Sequence, residues 1–336
     1  MIVREGSVRI DLLGGTIDLW PINLVLPNVV TLNLATSLKA KVEIKTTDFN
    51  GVRFNSLDYN ATAEFKEDEF TRENLDSDYF GNFSFFTQIL NVFKLNSNLE
   101  ITLGSDSPPG AGLGGSSAMG ITFYHALCEK TGLRFDRDEA VARISDIEAR
   151  LLDCGPAGYQ DYYPALYGGV LALFPSPGSV TVKQLYSSEL RENIESRMTL
   201  VFSGETRFSG INNWEVYKAF FDKKNNVRSG LFNIAELSFS AFNSIEKGDY
   251  DTFLKLIGEE GRERQKLFPN IVTQKVLDLE TGLRKVVPEL GVKVCGAGGG
   301  GCFILIHGEK DRKIIDDNIR DAGMKRLPFT VEKPIG

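Results

Sequence analysis

The stretch SDSPPGAGLGGSSAMGITFYHALCEKTG, residues 105–132, decides how the rest of the chain is read. It follows NLEITL (98–103), which reads as a strand. From Ser116 to Lys130 its apolar positions run nearly all round, as in a buried helix, and Gly132 stands where a C-terminal cap belongs. Strand, glycine loop and helix in that order let backbone N–H groups approach an anion beside the positive end of a helix dipole. Gly110, Gly112 and Gly115 satisfy GxGxxG literally. A dinucleotide-binding turn does not fit, because Ser107, Pro108 and Pro109 interrupt the strand and roughly a hundred residues precede it. With no GK[ST] after the glycines, a Walker loop is excluded as well. On residues alone, two readings stay open: a phosphate cradle, or glycines that merely permit tight helix-to-strand packing.

Working outward, apolar runs at 8–13, 24–26, 29–34 and 40–44 suit strands joined by turns. A second helix is expected from 136 to about 152. The loop CGPAGYQDYYPALYGG (154–169) then leads into the strand VLALF. The second half opens on a strand at 198–202 and carries helical patterns at 211–224, 228–246, 249–260 and 270–286. It closes with VKVC, GAGGGG and CFILIHG as strand, loop, strand. Interleaved strands and helices over 336 residues predict a two-domain α+β protein, divided near 195. Lys and Arg number 38 against 45 Asp and Glu, a net charge of −7 without a basic block, so nucleic acid is not the expected partner. The N-terminus lacks a basic and then apolar leader, and Pro27, Asn28 and Asn33 break the apolar stretches short of a membrane span. The expected location is cytoplasmic, with no membrane association. Four cysteines (128, 154, 295, 302) without a CxxC pair, and only two histidines, indicate neither a disulfide framework nor a zinc cluster.

PPGAGLGGSSAM (108–119) resembles the nucleotide-phosphate motif of the GHMP kinases, the superfamily of galactokinase, homoserine kinase, mevalonate kinase and phosphomevalonate kinase. Gly115 stands where that family often has Ser. VRIDLLGGTIDL (8–19) resembles the family's N-terminal substrate motif and KVCGAGGGGCF (293–303) its C-terminal glycine motif, in the same order. GGTID (14–18), YQDYYPALYGG (159–169) and SGETR (203–207) are most similar to the heptose 7-phosphate kinase and fucose kinase branch. The resemblance implies a two-domain GHMP kinase fold: a ribosomal-protein-like N-terminal domain over 1–195, a ferredoxin-like C-terminal domain over 196–336, and the active site between them. It also implies ATP and Mg²⁺ as cofactors and a small sugar or sugar phosphate as substrate.

Residue by residue, the resemblance places ATP on Pro109, Gly110, Ala111, Gly112, Leu113, Gly114, Gly115, Ser116 and Ser117. Ser116 and Glu148 become the metal ligands, a hydroxyl and a carboxylate suited to an ion that keeps most of its waters. Without the resemblance Ser116 reads as a plain helix cap and Glu148 as a solvated residue paired with Arg143 or Arg150. Asp161 becomes the group that accepts or orients the acceptor's proton, and Arg9 the cation beside the transferred phosphate. Asp18 would bind sugar hydroxyls. Gly15 and Thr16, where galactokinase has Glu-His, argue against galactose. Tyr163, Arg207, Gly298 and Gly299 complete the expected substrate contacts, and Arg207, Lys39 and Lys218 are the cations available to an acceptor phosphate. Three rivals keep the fold: a sugar-binding sensor without turnover, a cyclitol kinase, and a decarboxylase of a phosphorylated mevalonate.

Overall fold

The computed structural model describes residues 1–152, 158–205 and 213–336. The chain begins with two long antiparallel strands, β1 (Ile2–Leu13) and β2 (Thr31–Thr46), joined through a short helix α1 (Ile22–Val25). The apolar run at 24–26 is thus a helical turn and not a strand. On β1, Val8, Ile10 and Leu12 are fully buried, and the alternate residues Ser7, Arg9 and Asp11 are also buried. A strand covered on both faces, one of them polar, needs a partner layer able to satisfy charges. Strands β3 (Gly51–Ser56), β4 (Ala61–Lys66), β5 (Leu99–Ser105), β6 (Val170–Ser176) and β7 (Ser179–Gln184) complete a seven-stranded sheet in the order β4-β3-β5-β2-β6-β7, with β1 also on β2.

The segments read as separate strands at 29–34 and 40–44 belong to the single strand β2. Its free edge pairs with β6 over 31–34 and with β5 over 40–46. The gap between them is closed by the C-terminal tail: the Ser37 amide donates to the Thr330 carbonyl, the Glu332 amide to the Ala35 carbonyl, and Thr36 bridges Val331. The half-buried polar residues at 37 and 39 look like a turn only because this third partner comes from so far along the chain.

Helices α2 (Arg72–Leu75), α3 (Ser84–Val92), α4 (Gly115–Thr131), α5 (Arg137–Leu152) and α6 (Tyr163–Tyr167) belong to this half. From Ser117 to Cys128 α4 is buried at every position but His125, and it packs across β1 and β2. Gly114 and Gly132, both left-handed, flank it. Through α7 (Ser188–Arg197) the chain passes into an antiparallel sheet ordered β11-β8-β10-β9, made of β8 (Met198–Phe202), β9 (Gly291–Val294), β10 (Cys302–Ile306) and β11 (Lys325–Arg326). Helices α8 (Asn213–Phe221), α9 (Asn225–Glu246), α10 (Tyr250–Gln265), α11 (Gln274–Arg284) and α12 (Arg312–Asp321) accompany it. The architecture is α+β with two sheets, and Ile257, Cys295 and Ile304 join the same apolar core as Val8 and Ile10.

Candidate active site

The first glycine loop, 110–115, is shaped by positions that only glycine fills without strain. Gly110, Gly112 and Gly114 have φ of 70°, 73° and 68°, a region costly for other residues. A Cβ at Gly112 would lie 2.8 Å from the Cys295 carbonyl oxygen, and one at Gly114 3.3 Å from Asp161 and Arg9. Gly115 is different: it opens α4, and a Cβ there would meet only the Ser107 hydroxyl, at 3.2 Å. The second glycine loop lies directly behind the first. The Cys302 amide donates to the Ala111 carbonyl at 2.7 Å, and a Cβ at Gly296 would sit 2.9 Å from the Gly112 carbonyl oxygen. Gly298 and Gly299 turn the other way, onto Ile271, whose carbonyl accepts from the Gly299 amide at 2.8 Å.

At the mouth of this loop Arg9 and Asp161 meet. Arg9 Nε donates to Asp161 Oδ1 at 2.8 Å, Nη2 lies 2.8 Å from the same oxygen, and Nη1 donates to the Gly112 carbonyl at 2.6 Å. Among the described residues nothing donates to Asp161 Oδ2, and the side chain keeps 25% of its surface exposed. Burial opposes the charge of Arg9, but Asp161 and Asp11 outweigh it, so the guanidinium is held more firmly protonated than usual. The strand also fixes this arginine, since the Arg9 amide donates to the Leu113 carbonyl at 2.9 Å.

Asp18 sits beneath the loop that carries Asp161. A Cβ at Gly158 would fall 2.1 Å from its Oδ2, which accepts from the Gln160 amide at 3.3 Å. Burial, then the negative charges of Asp161 and Asp11, push the Asp18 carboxyl up to about 7. Gly15 has no room for a side chain, because a Cβ would lie 2.1 Å from Asp11 Oδ2. Thr16 has φ of 78°, a strained backbone for a β-branched residue of the kind that concentrates at functional sites.

Glu148 is 8% exposed, which disposes of the solvated-face reading: Arg143 pairs instead with Glu139, and Arg150 donates to the Asp146 carbonyl. Its Oε2 accepts from Tyr162 at 2.7 Å and from Ser117 at 2.9 Å. Burial raises the Glu148 carboxyl above the usual range, while the hydroxyls of Tyr162, Ser117 and Ser116 hold it down. Ser117 is buried behind Glu148, whereas Ser116 is exposed at the start of α4. A buried, hydroxyl-ringed carboxylate next to an exposed serine hydroxyl suits a hard cation. Among the described residues no three His, Cys, Asp or Glu side chains cluster, so an ion held here would take its other ligands from phosphate and water.

Several expected contacts lie elsewhere. Tyr163 is 4% exposed and packs with Leu171 and Leu173 in a small core, stacked on Tyr167. Lys39 gives its ammonium to Ser7 and Glu332, at 2.8 and 3.3 Å. Lys218 is exposed on α8. Arg207 lies outside the described residues. The sequence reading missed a buried quartet of charges, Asp11, Glu260, Arg264 and Lys293, each no more than 3% exposed. Asp11 was detectable, since the alternation of VRIDL puts it on the same strand face as Arg9. Glu260 and Arg264 look like any exposed pair one helical turn apart.

A sequence profile described as GHMP kinases N terminal domain matches residues 84–169, the span that holds the first glycine loop, Glu148 and Asp161. The D-glycero-alpha-D-manno-heptose 7-phosphate kinase of Campylobacter jejuni is 25% identical over 98% of this chain and 97% of its own length. The bifunctional fucokinase/GDP-fucose pyrophosphorylase of Arabidopsis thaliana is 24% identical over 92% of this chain, which spans only 30% of that protein. Among solved structures, the Methanococcus jannaschii mevalonate kinase superposes with a TM-score of 0.76 at 19% identity, covering 99% of this chain and 98% of that one. Profile, relatives and fold agree: residues 84–169 match the GHMP kinases N terminal domain, and over nearly its whole length the chain is similar to kinases that phosphorylate a hydroxyl group.

Proposed function

We propose that this protein transfers the γ-phosphoryl group of ATP, with Mg²⁺, to the anomeric hydroxyl of a six- or seven-carbon sugar or sugar phosphate, in the manner of a heptose 7-phosphate kinase. The observation that carries the reading is the Arg9–Asp161 pair at Gly112 and Gly114, since phosphoryl transfer asks mainly for positioning and charge neutralisation. The loop amides and the start of α4 cradle the phosphates. Asp161 Oδ2 receives the acceptor hydroxyl and its proton, while Arg9 holds Oδ1 and faces the charge spreading over the phosphoryl oxygens. Asp18, titrating near neutrality, donates to or accepts from the sugar's other hydroxyls. Ser116 and Glu148 would hold a magnesium ion, which would supply charge neutralisation at the phosphates. The near full-length match to a heptose 7-phosphate kinase supports a sugar acceptor. The same reading divides the chain into domains 1–195 and 196–336 and places it in the cytoplasm. No helix among the described residues is long and apolar enough to cross a membrane.

The test is ADP release with magnesium ATP against a panel of free sugars, cyclitols and sugar phosphates. Turnover with sugars or their phosphates upholds the reading. Turnover with cyclitols alone changes the acceptor class, and tight sugar binding with no turnover at all replaces the kinase by a sensor.

The metal assignment has its own expected outcome. Glu148→Gln keeps the shape and the hydroxyl partners of the buried carboxylate, so the fold persists. The Mg²⁺ concentration for half-maximal activity should rise at least ~10-fold. Adding Ser116→Ala should cost less than the sum of the single effects, because two ligands of one ion are not independent. A Mg²⁺ titration of the four proteins checks this, and strictly additive losses at unchanged Mg²⁺ dependence refute it.

A further inference from the structure

The buried quartet joins the two halves of the chain behind the phosphate loop. Asp11 Oδ2 lies 3.0 Å from Arg264 Nη1 and 3.2 Å from Lys293 Nζ, and Lys293 Nζ lies 3.0 Å from Glu260 Oε2. Two cations and two carboxylates make it neutral. Lys293, fully buried between its two carboxylates, is an internal brace. Arg264 does something else with its fork: while Nη1 holds Asp11 on β1, Nη2 donates to the Gly296 carbonyl at the head of the second glycine loop. Gly296 in turn lies against the Gly112 carbonyl, the same oxygen that accepts from Arg9. A continuous chain of contacts therefore runs from α10 through Gly296 to the phosphate loop and the Arg9–Asp161 pair.

We infer that Arg264 is a positioning residue, clasping the second glycine loop to β1 so that Gly112 and the phosphate loop stay in nucleotide-binding form. The inference rests on the nucleotide-binding part of the proposed function. It requires the fork of arginine, since a lysine ammonium can meet Asp11 but does not span Asp11 and the Gly296 carbonyl in one plane.

The experiment compares ADP binding, by calorimetry in the presence of Mg²⁺, with thermal stability in the full chain. Arg264→Lys should weaken ADP binding ~10-fold or more, raising KM for ATP more than it lowers kcat. Ile257→Ala, on the same helix but in the apolar core, serves as the comparison. It should lower the melting temperature and leave ADP affinity within about twofold well below that temperature. Should Arg264→Lys fail to fold, the double variant Asp11→Asn/Arg264→Met removes the clasp in a charge-balanced way and leaves Lys293 paired with Glu260. The same loss of affinity is expected there. Unchanged ADP affinity in the folded clasp variants overturns the inference, as does an equal loss in Ile257→Ala. If the unaltered chain binds ADP but turns over no acceptor, the kinase reading alone fails. If it binds no ADP, both fail.

Discussion

Asp161→Asn should lower kcat by about 10² to 10⁴, the usual cost of removing a proton-accepting group, while ADP affinity stays close to that of the unaltered protein. On the proposed function the two readouts separate, because the carboxylate would face the acceptor through Oδ2, whereas Arg9 reaches the loop independently through the Gly112 carbonyl. Asparagine keeps an oxygen for the two Arg9 donors at Oδ1, so the guanidinium stays in place. Steady-state kinetics with the identified acceptor, together with calorimetric ADP binding, decide the matter. Near-normal turnover removes Asp161 from the chemistry, and a parallel loss of nucleotide binding makes it a structural partner of Arg9.

Asp18→Asn should stabilise the fold at pH 8 by on the order of 2–4 kcal/mol while it depresses sugar turnover. The Asp18 carboxyl, raised to about 7 by burial and by Asp161 and Asp11, stays protonated in the folded state across a range where the unfolded chain has released its proton. The folded state thus binds more protons over that interval, and stability falls as pH rises from the ordinary carboxylate value of about 4 to about 7. Above that interval the unaltered protein carries the whole cost of an ionised buried carboxylate. Asparagine escapes it, and its amide oxygen still accepts from the Gln160 amide. The gain should shrink toward zero near pH 4. Urea unfolding of both proteins at several pH values measures it, and a difference that does not vary with pH rejects the electrostatic explanation. Such a gain, paired with a loss of turnover, would mark a site where binding has been favoured over rigidity.

The parts of this protein visible in its sequence were those governed by local rules. Helix α4 announced itself through apolar positions on every side and a glycine at each end. The strand after Gly169 was a plain apolar run. What escaped was decided by partners far away. β2 looked like two strands because a tail almost three hundred residues downstream supplies the hydrogen bonds of its middle, as in the pairing of Ser37 with Thr330 across 293 positions. Glu148 was indistinguishable by composition from a surface glutamate, and only the motif resemblance singled it out before Tyr162 and Ser117 were seen to hold it. Lys293 stands 282 positions from Asp11, and no periodicity links them. Tyr163 went in the opposite direction: an aromatic in the loop after Asp161 invited a ligand role, but its ring completes a small core.

The tail that closes the middle of β2 also bears on how the protein comes to be folded. Val331 bridges Thr36, Pro334 bridges Gly168, and the Ile335 amide donates to the Tyr167 carbonyl at the end of α6. Until those residues arrive, the centre of the longest strand leaves the Ala35 carbonyl and the Ser37 amide without their partners, an open edge able to pair with another chain. Contacts this distant in sequence also slow folding, because a very large loop must close before they form. On a ribosome the first half would wait in that state while nearly three hundred further residues are made, which makes the arrival of 330–335 the event that closes this edge to misassembly.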